Sequence, residues 1–123
     1  MSKNNPERAS VAHRLQTSLL VQSLVRCVAA EGGFAAVLQK GDAVSGTIIV
    51  ACIGGDRQIC LYERMSDFSG GYSLSPIARK DWGNDEAIMA YIGRRTQSDP
   101  DLWVVELDVP NGEQLAAGLL GSN

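Results

Sequence analysis

The segment Leu102 to Val109, LWVVELDV, constrains the fold more than any other stretch of the chain. Successive side chains of a strand point to opposite faces, so Trp103, Val105 and Leu107 share one face while Leu102 and Val104 take the other. Both faces are therefore covered at its start, whereas Glu106 and Asp108 fall on the second face further along, where water is expected. The chain that must supply this cover has 123 residues, 45% of them apolar and 20% charged. That length suits one domain with its own core, which needs neither metal nor disulfide to fold.

The remaining elements follow from periodicity and punctuation. Between Val11 and Glu31, steps of about 100° gather Leu20, Val21, Leu24, Val25, Cys27 and Val28 on one side, with Ser18, Gln22 and Arg26 opposite. This predicts an amphipathic helix stopped by Gly32-Gly33. Three segments dense in strand formers follow, Phe34 to Gln39, Thr47 to Ile53 and Gln58 to Arg64. Short Gly/Asp connections at 41–46 and 54–57 suit hairpins, so antiparallel pairing of these strands is expected. Tyr72 to Ala78 contains Pro76, which permits an edge strand and not a central one. Asn84-Asp85-Glu86 caps a second helix that carries Ile88, Tyr91 and Ile92 on one face, reaches Arg94-Arg95 and ends at Asp99-Pro100.

The expected organisation is a flexible leader at residues 1–10, one domain over 11–112 and a Gly-rich tail at 113–123 that frays. The fold class is α+β, with an antiparallel or mixed sheet of four to five strands and two helices packed on one face.

A net charge of −3 and a pI near 5.0 exclude a general phosphate-backbone binder, which concentrates Lys and Arg on a dominant basic surface. Arg79-Lys80 and Arg94-Arg95 are read as solvated surface. Arg14, Gln16, Gln22 and Arg26 interrupt the first apolar stretch, so it neither spans a bilayer nor directs export. A cytoplasmic protein without membrane contact is expected. Cys27, Cys52 and Cys60 lie in apolar runs, the pattern of buried, reduced thiols. Cys52 and Cys60 flank the 54–57 turn and would face each other across a hairpin. A catalytic thiol needs a cationic neighbour, and His13 lies far away in sequence.

Two stretches carry a family resemblance. Gly33-Phe34-Ala35-Ala36-Val37 running to Lys40-Gly41-Asp42, together with Asp99-Pro100-Asp101-Leu102-Trp103-Val104-Val105-Glu106, resemble the domain-of-unknown-function family DUF1491, small proteins found mainly in alphaproteobacteria. The similarity extends from about Leu15 to Gly112, and the Asp-Pro-Asp-Leu-Trp element is its specific part. The resemblance implies a shared fold and a bacterial cytoplasmic setting, and it supplies no activity. After Glu106 the chain departs from the family, with Leu107-Asp108-Val109-Pro110 in place of a more charged run.

Candidate chemistry is sparse. Asp99, Asp101, Glu106 and Asp108 form the densest carboxylate group, of the kind that hard cations take as oxygen ligands, but the spacing fits no EF-hand loop. Asp99 and Asp101 also suit turn capping. Lys40-Gly41-Asp42 lacks the GxxxxGK[ST] pattern of a phosphate cradle. Trp82, between Asp81 and Gly83, is a candidate anchor for a partner. The leading reading is a non-catalytic binding or regulatory module without cofactor, with Lys40, Asp42, Trp82, Asp99, Asp101 and Glu106 as binding candidates. The alternative is a small metal-dependent hydrolase using Asp99, Asp101, Glu106 and Lys40. A homodimer is expected as well, since Leu15 and Leu19 stand on the polar side of the first helix and a hairpin sheet leaves an open edge.

Overall fold

The computed structural model describes residues 16–67, 69–77 and 84–121. Helix α1 (Thr17–Ala30) passes through Gly32 into strand β1 (Phe34–Gln39). Gly32 adopts φ 84°, a left-handed conformation in which any Cβ is strained, which explains the sharp stop. Strands β2 (Ile48–Ile53), β3 (Ile59–Ser66) and β4 (Tyr72–Pro76) follow, then helix α2 (Asp85–Ser98), strand β5 (Trp103–Asp108) and helix α3 (Gly112–Leu120). The expected leader at residues 1–10 lies outside the described residues.

The five strands form one sheet in the order β1-β5-β2-β3-β4. Strand β5 runs antiparallel to β1 and parallel to β2, while β2 with β3 and β3 with β4 are antiparallel pairs. The class is therefore α+β with a mixed sheet, and β4 with its Pro76 stands at an edge as the sequence indicates. The expected β1–β2 hairpin is corrected, because β5 is inserted between these strands. Strand β5 is apolar on both faces, and only an interior position gives it cover on both.

The helices do not share one face. Leu20, Val21, Leu24 and Val28 of α1 pack with Ala116 and Leu120 of α3 over Ile48, Val50, Trp103, Val105 and Leu107. On the opposite face Ile88 and Ile92 of α2 cover Ile49, Ala51, Leu61, Leu102 and Val104. Two helices on one face is thus corrected to three helices on two faces among the described residues. The alternation of β2 and β5 demands it: each presents fully buried residues to both sides.

The expected fraying of 113–123 is corrected as far as Leu120 by α3, and residues 122 and 123 lie outside the described residues. A nine-residue helix is marginal in isolation. Leu120, fully buried, adds roughly 1.5–3 kcal/mol of burial that holds α3 against the sheet. Helix α2 follows its sequence signals more closely. The Asn84 carboxamide oxygen accepts from the backbone N–H groups of Glu86 at 2.9 Å and Ala87 at 3.4 Å. Arg95, read as solvated, instead donates to both Glu63 carboxylate oxygens at 3.0 and 2.9 Å and joins α2 to β3. That carboxylate raises the guanidinium pKa further above its ordinary value. No helix among the described residues is long and apolar enough to cross a membrane.

Candidate functional site

The connection at 41–46 is no simple hairpin turn. It is fastened to α1 and to the start of β5. The Asp42 carboxylate accepts from the N–H groups of Val44 at 3.0 Å and Ser45 at 2.8 Å, and the Asp42 N–H donates to the Asp101 carbonyl at 3.1 Å. The Thr17 hydroxyl donates to the Val44 carbonyl and accepts from the Gly46 N–H. Trp103 completes the attachment, its indole N–H donating to the Asp42 carbonyl at 2.7 Å. Gly41 explains its own presence: a Cβ there would stand 2.1 Å from the Asp101 carbonyl oxygen, inside any tolerable contact.

This rigid loop forms one wall of a groove of about 680 Å³. Val21, Val25 and Arg26 of α1 line the other wall, with Ser18 and Gln22 at its polar margin. Val37 and Trp103 supply the sheet floor, and Lys40 and Ala43 the loop side. The lining is mostly apolar carbon, and the volume lies in the range of small-molecule sites. Arg26 and Lys40 are both exposed. Neither forms an ion pair among the described residues. The site thus combines an apolar floor with two cationic groups, the chemistry that receives an anionic head on an apolar body.

The structure separates the other sequence candidates. Lys40 is in the groove, but Asp42 is spent on backbone N–H groups and serves the loop. Asp99 accepts from the Asp101 N–H at 3.1 Å in a turn after α2. The Asp101 backbone carbonyl, and not its carboxylate, receives the loop at Asp42. Glu106 stands in mid-strand opposite Ala36 and Ala51. Asp108 pairs with Arg57 at 3.2 Å with both side chains largely exposed, a contact worth about 0–1 kcal/mol. Among the described residues no three His, Cys, Asp or Glu side chains are grouped to hold a metal ion. Trp82 lies outside the described residues. Sequence reasoning missed Arg26, Val21, Val25 and Val37 as groove residues. Arg26 opposite an apolar helix stripe reads as ordinary surface, and only the docking of α1 across β1 turns it toward a cavity.

The family model for "Protein of unknown function (DUF1491)" matches residues 15–117, most of the chain and the whole groove. The chain belongs to the DUF1491 family. A crystal structure of a DUF1491 family protein from Caulobacter crescentus CB15 is similar at 28% identity and a TM-score of 0.72, over 82% of this chain and 94% of that one. An NMR structure of a DUF1491 family protein from the same organism gives 28% identity and a TM-score of 0.70, over 83% and 92%. The solution structure of protein Atu0922 from A. tumefaciens shows 28% identity and a TM-score of 0.67, over 89% and 98%. The family and the alphaproteobacterial setting of its relatives agree with the resemblance carried by the Gly33 to Asp42 and Asp99 to Glu106 stretches. No curated protein matches.

The thiols of this DUF1491 protein divide by position. Cys52 and Cys60 lie directly opposite in the β2–β3 register, both free. The expectation that all three thiols are buried is corrected: Cys52 is buried, Cys27 half-buried and Cys60 exposed. Among the described residues β4 pairs β3 from Tyr62 onward, and the Ile77 N–H donates to the Leu61 carbonyl at 2.8 Å. Burial pushes the Cys52 thiol up to about 12, with Glu113 and Cys60 adding to the effect. Native maleimide labelling at neutral pH should therefore modify Cys60 first and Cys52 only after unfolding; equal rates at Cys52 and Cys60 would contradict the burial. Because the unfolded thiol ionises near 9.0 and the folded one near 12, Cys52 favours the folded state below pH 9, and this contribution is lost as pH rises through that window.

Proposed function

We propose that this chain is a non-catalytic cytoplasmic binding module, and that its α1–β1 groove takes a small organic anion with an apolar body, such as a medium-chain carboxylate. The observation that carries the reading is the pairing of an apolar lining, Val21, Val25, Val37 and Trp103, with two cations, Arg26 and Lys40, that have no carboxylate partner among the described residues. The apolar body supplies burial, and the cations set which end of the ligand lies at the mouth. Hydrolysis through Asp99, Asp101 and Glu106 draws no support, because these groups are dispersed over a turn and a strand.

The test is a titration with octanoate, and with octanol as the uncharged probe, followed by 1H–15N NMR. A saturable shift of the Trp103 indole N–H with octanoate is expected, together with shifts at Val21, Val25 and Lys40. Arg26→Ala should weaken octanoate about tenfold, the loss of one charge-assisted contact of about 1.4 kcal/mol, and leave octanol nearly unchanged. Absence of saturation at the Trp103 indole, or equal binding of the acid and the alcohol, would reject the anion-binding groove.

A further inference from the structure

Two thiols stand opposite one another in the β2–β3 hairpin, and neither lines the α1–β1 groove. Cys52 and Cys60 are direct partners in the antiparallel register, so their side chains share one face of the sheet, the face that α1 and α3 cover. At the hairpin tip the Gly54 N–H donates to the Gln58 carbonyl at 2.9 Å. Counting along the ladder from that bond, Ile53 and Ile59 are the pair without mutual hydrogen bonds, and Cys52 and Cys60 are a hydrogen-bonded pair. Such a pair holds its Cα atoms about 5.5 Å apart, the separation that disulfides favour. Directly opposed Cβ atoms stand roughly 4.5–5.5 Å apart, wider than the ~3.8 Å of a relaxed bridge, so closing the bond draws the strands together and strains it. A strained bridge with an accessible sulfur is of the readily reduced kind.

We infer that Cys52 and Cys60 form a reversible oxidation site whose substrate is a hydroperoxide and whose product is the cross-strand disulfide. Cys60 is exposed and Cys52 buried, which orders the steps. The Cys60 thiolate attacks the terminal peroxide oxygen and the O–O bond breaks. The departing alkoxide or hydroxide takes up the proton that Cys60 gave up, so the peroxide is reduced and Cys60 is oxidised to the sulfenic acid. The Cys52 sulfur then attacks the Cys60 sulfur, the S–O bond breaks, and hydroxide leaves with the Cys52 proton as water. Small thiols reverse the reaction: one attacks the exposed Cys60 sulfur and releases Cys52, and a second resolves the mixed disulfide, leaving both cysteines reduced and one small-molecule disulfide. Burial, which pushes the Cys52 thiol up to about 12, keeps it protonated and leaves the first attack to Cys60. Among the described residues no third His, Cys, Asp or Glu joins the pair in a metal-holding group, so each sulfur has the other as its partner.

Treating the full chain with hydrogen peroxide, then alkylating under denaturing conditions and mapping tryptic peptides, tests the site. Each cysteine falls in its own peptide, because Arg26, Lys40, Arg57 and Arg64 separate Cys27, Cys52 and Cys60. The peptide ending at Arg57 should appear joined to the one ending at Arg64, at their summed mass less two hydrogens, with Cys27 still alkylated. Millimolar glutathione should return both peptides to the alkylated form. Cys52→Ala, shown by circular dichroism to be folded, should carry a dimedone adduct on Cys60 that the unaltered chain does not hold, and Cys60→Ser should leave Cys52 alkylatable at the same peroxide dose. Sulfinic acid on Cys60 with Cys52 still alkylatable in the unaltered chain would overturn the inference. So would a Cys60–Cys60 link between two chains, a bridge to Cys27, or a Cys52–Cys60 bridge that glutathione does not open. The peptide map of the unaltered chain decides the matter even if a variant does not fold.

Discussion

Replacing Trp103 with alanine is expected to lower the unfolding free energy by about 3–5 kcal/mol, a large share of the 5–15 kcal/mol typical of one domain. The indole is almost wholly buried beneath α1 in the same cluster as Leu24, Val28 and Val105. Its loss removes the transfer term and leaves a cavity that the fastened 41–46 loop cannot collapse into. It also removes the N–H that holds the Asp42 carbonyl at 2.7 Å, so the loop loses its tie to β5. Trp103→Phe separates these terms: it keeps most of the ring burial, and the smaller loss reports the hydrogen bond together with the space left unfilled. Urea melts decide the point. A change below about 1 kcal/mol for Trp103→Ala would show that the ring is not part of the core.

Leu120→Ala should cost about 2–5 kcal/mol, as for a fully buried leucine that ends a packed helix. Leu120 is wholly enclosed, and its backbone carbonyl accepts from Nε of Arg64 at 3.0 Å. The same guanidinium stacks 3.6 Å from the centre of the Tyr72 ring, so the end of α3, β3 and β4 are joined at one point. Gln114→Ala, on the exposed side of α3, is the control and should stay within about 0.5 kcal/mol. Similar small losses for both variants would mean that α3 frays in solution. A large loss for Leu120 alone establishes it as part of the domain.

Much of the local structure was legible in residue order. The bounds of β1, Phe34–Gln39, coincide with the run of strand formers between Gly33 and Lys40. The Asn84 cap and the Asp99-Pro100 stop bracket α2 because capping and the loss of a proline N–H are local effects. Helix α3 was obscured by its composition. Leu115, Ala116, Leu119 and Leu120 have helical spacing, but Gly112, Gly118 and Gly121 weaken the propensity over so short a stretch, and burial against the sheet outweighs it. Of the candidate site residues, Lys40 is in the groove while Asp42, Asp99 and Asp101 serve turns. A carboxylate that caps a turn and one that binds a ligand look the same in sequence, since the difference lies in which N–H groups fold around it.

Sequence by itself determined the α+β class, the two-sided character of β5, the edge position of β4 and membership of the DUF1491 family. These rest on periodicity of 2 or 3.6 residues, on proline and glycine chemistry, and on a specific Asp-Pro-Asp-Leu-Trp element, all readable over a few residues. Only the tertiary structure decided that β5 lies between β1 and β2, that α2 packs on the face opposite α1 and α3, and that Arg26 and Lys40 both line one largely apolar groove. Residues as far apart as Val37 and Trp103, or Thr17 and Val44, come together through contacts whose partners no local pattern names, because a strand with two apolar faces specifies that it must be covered and not by which segment.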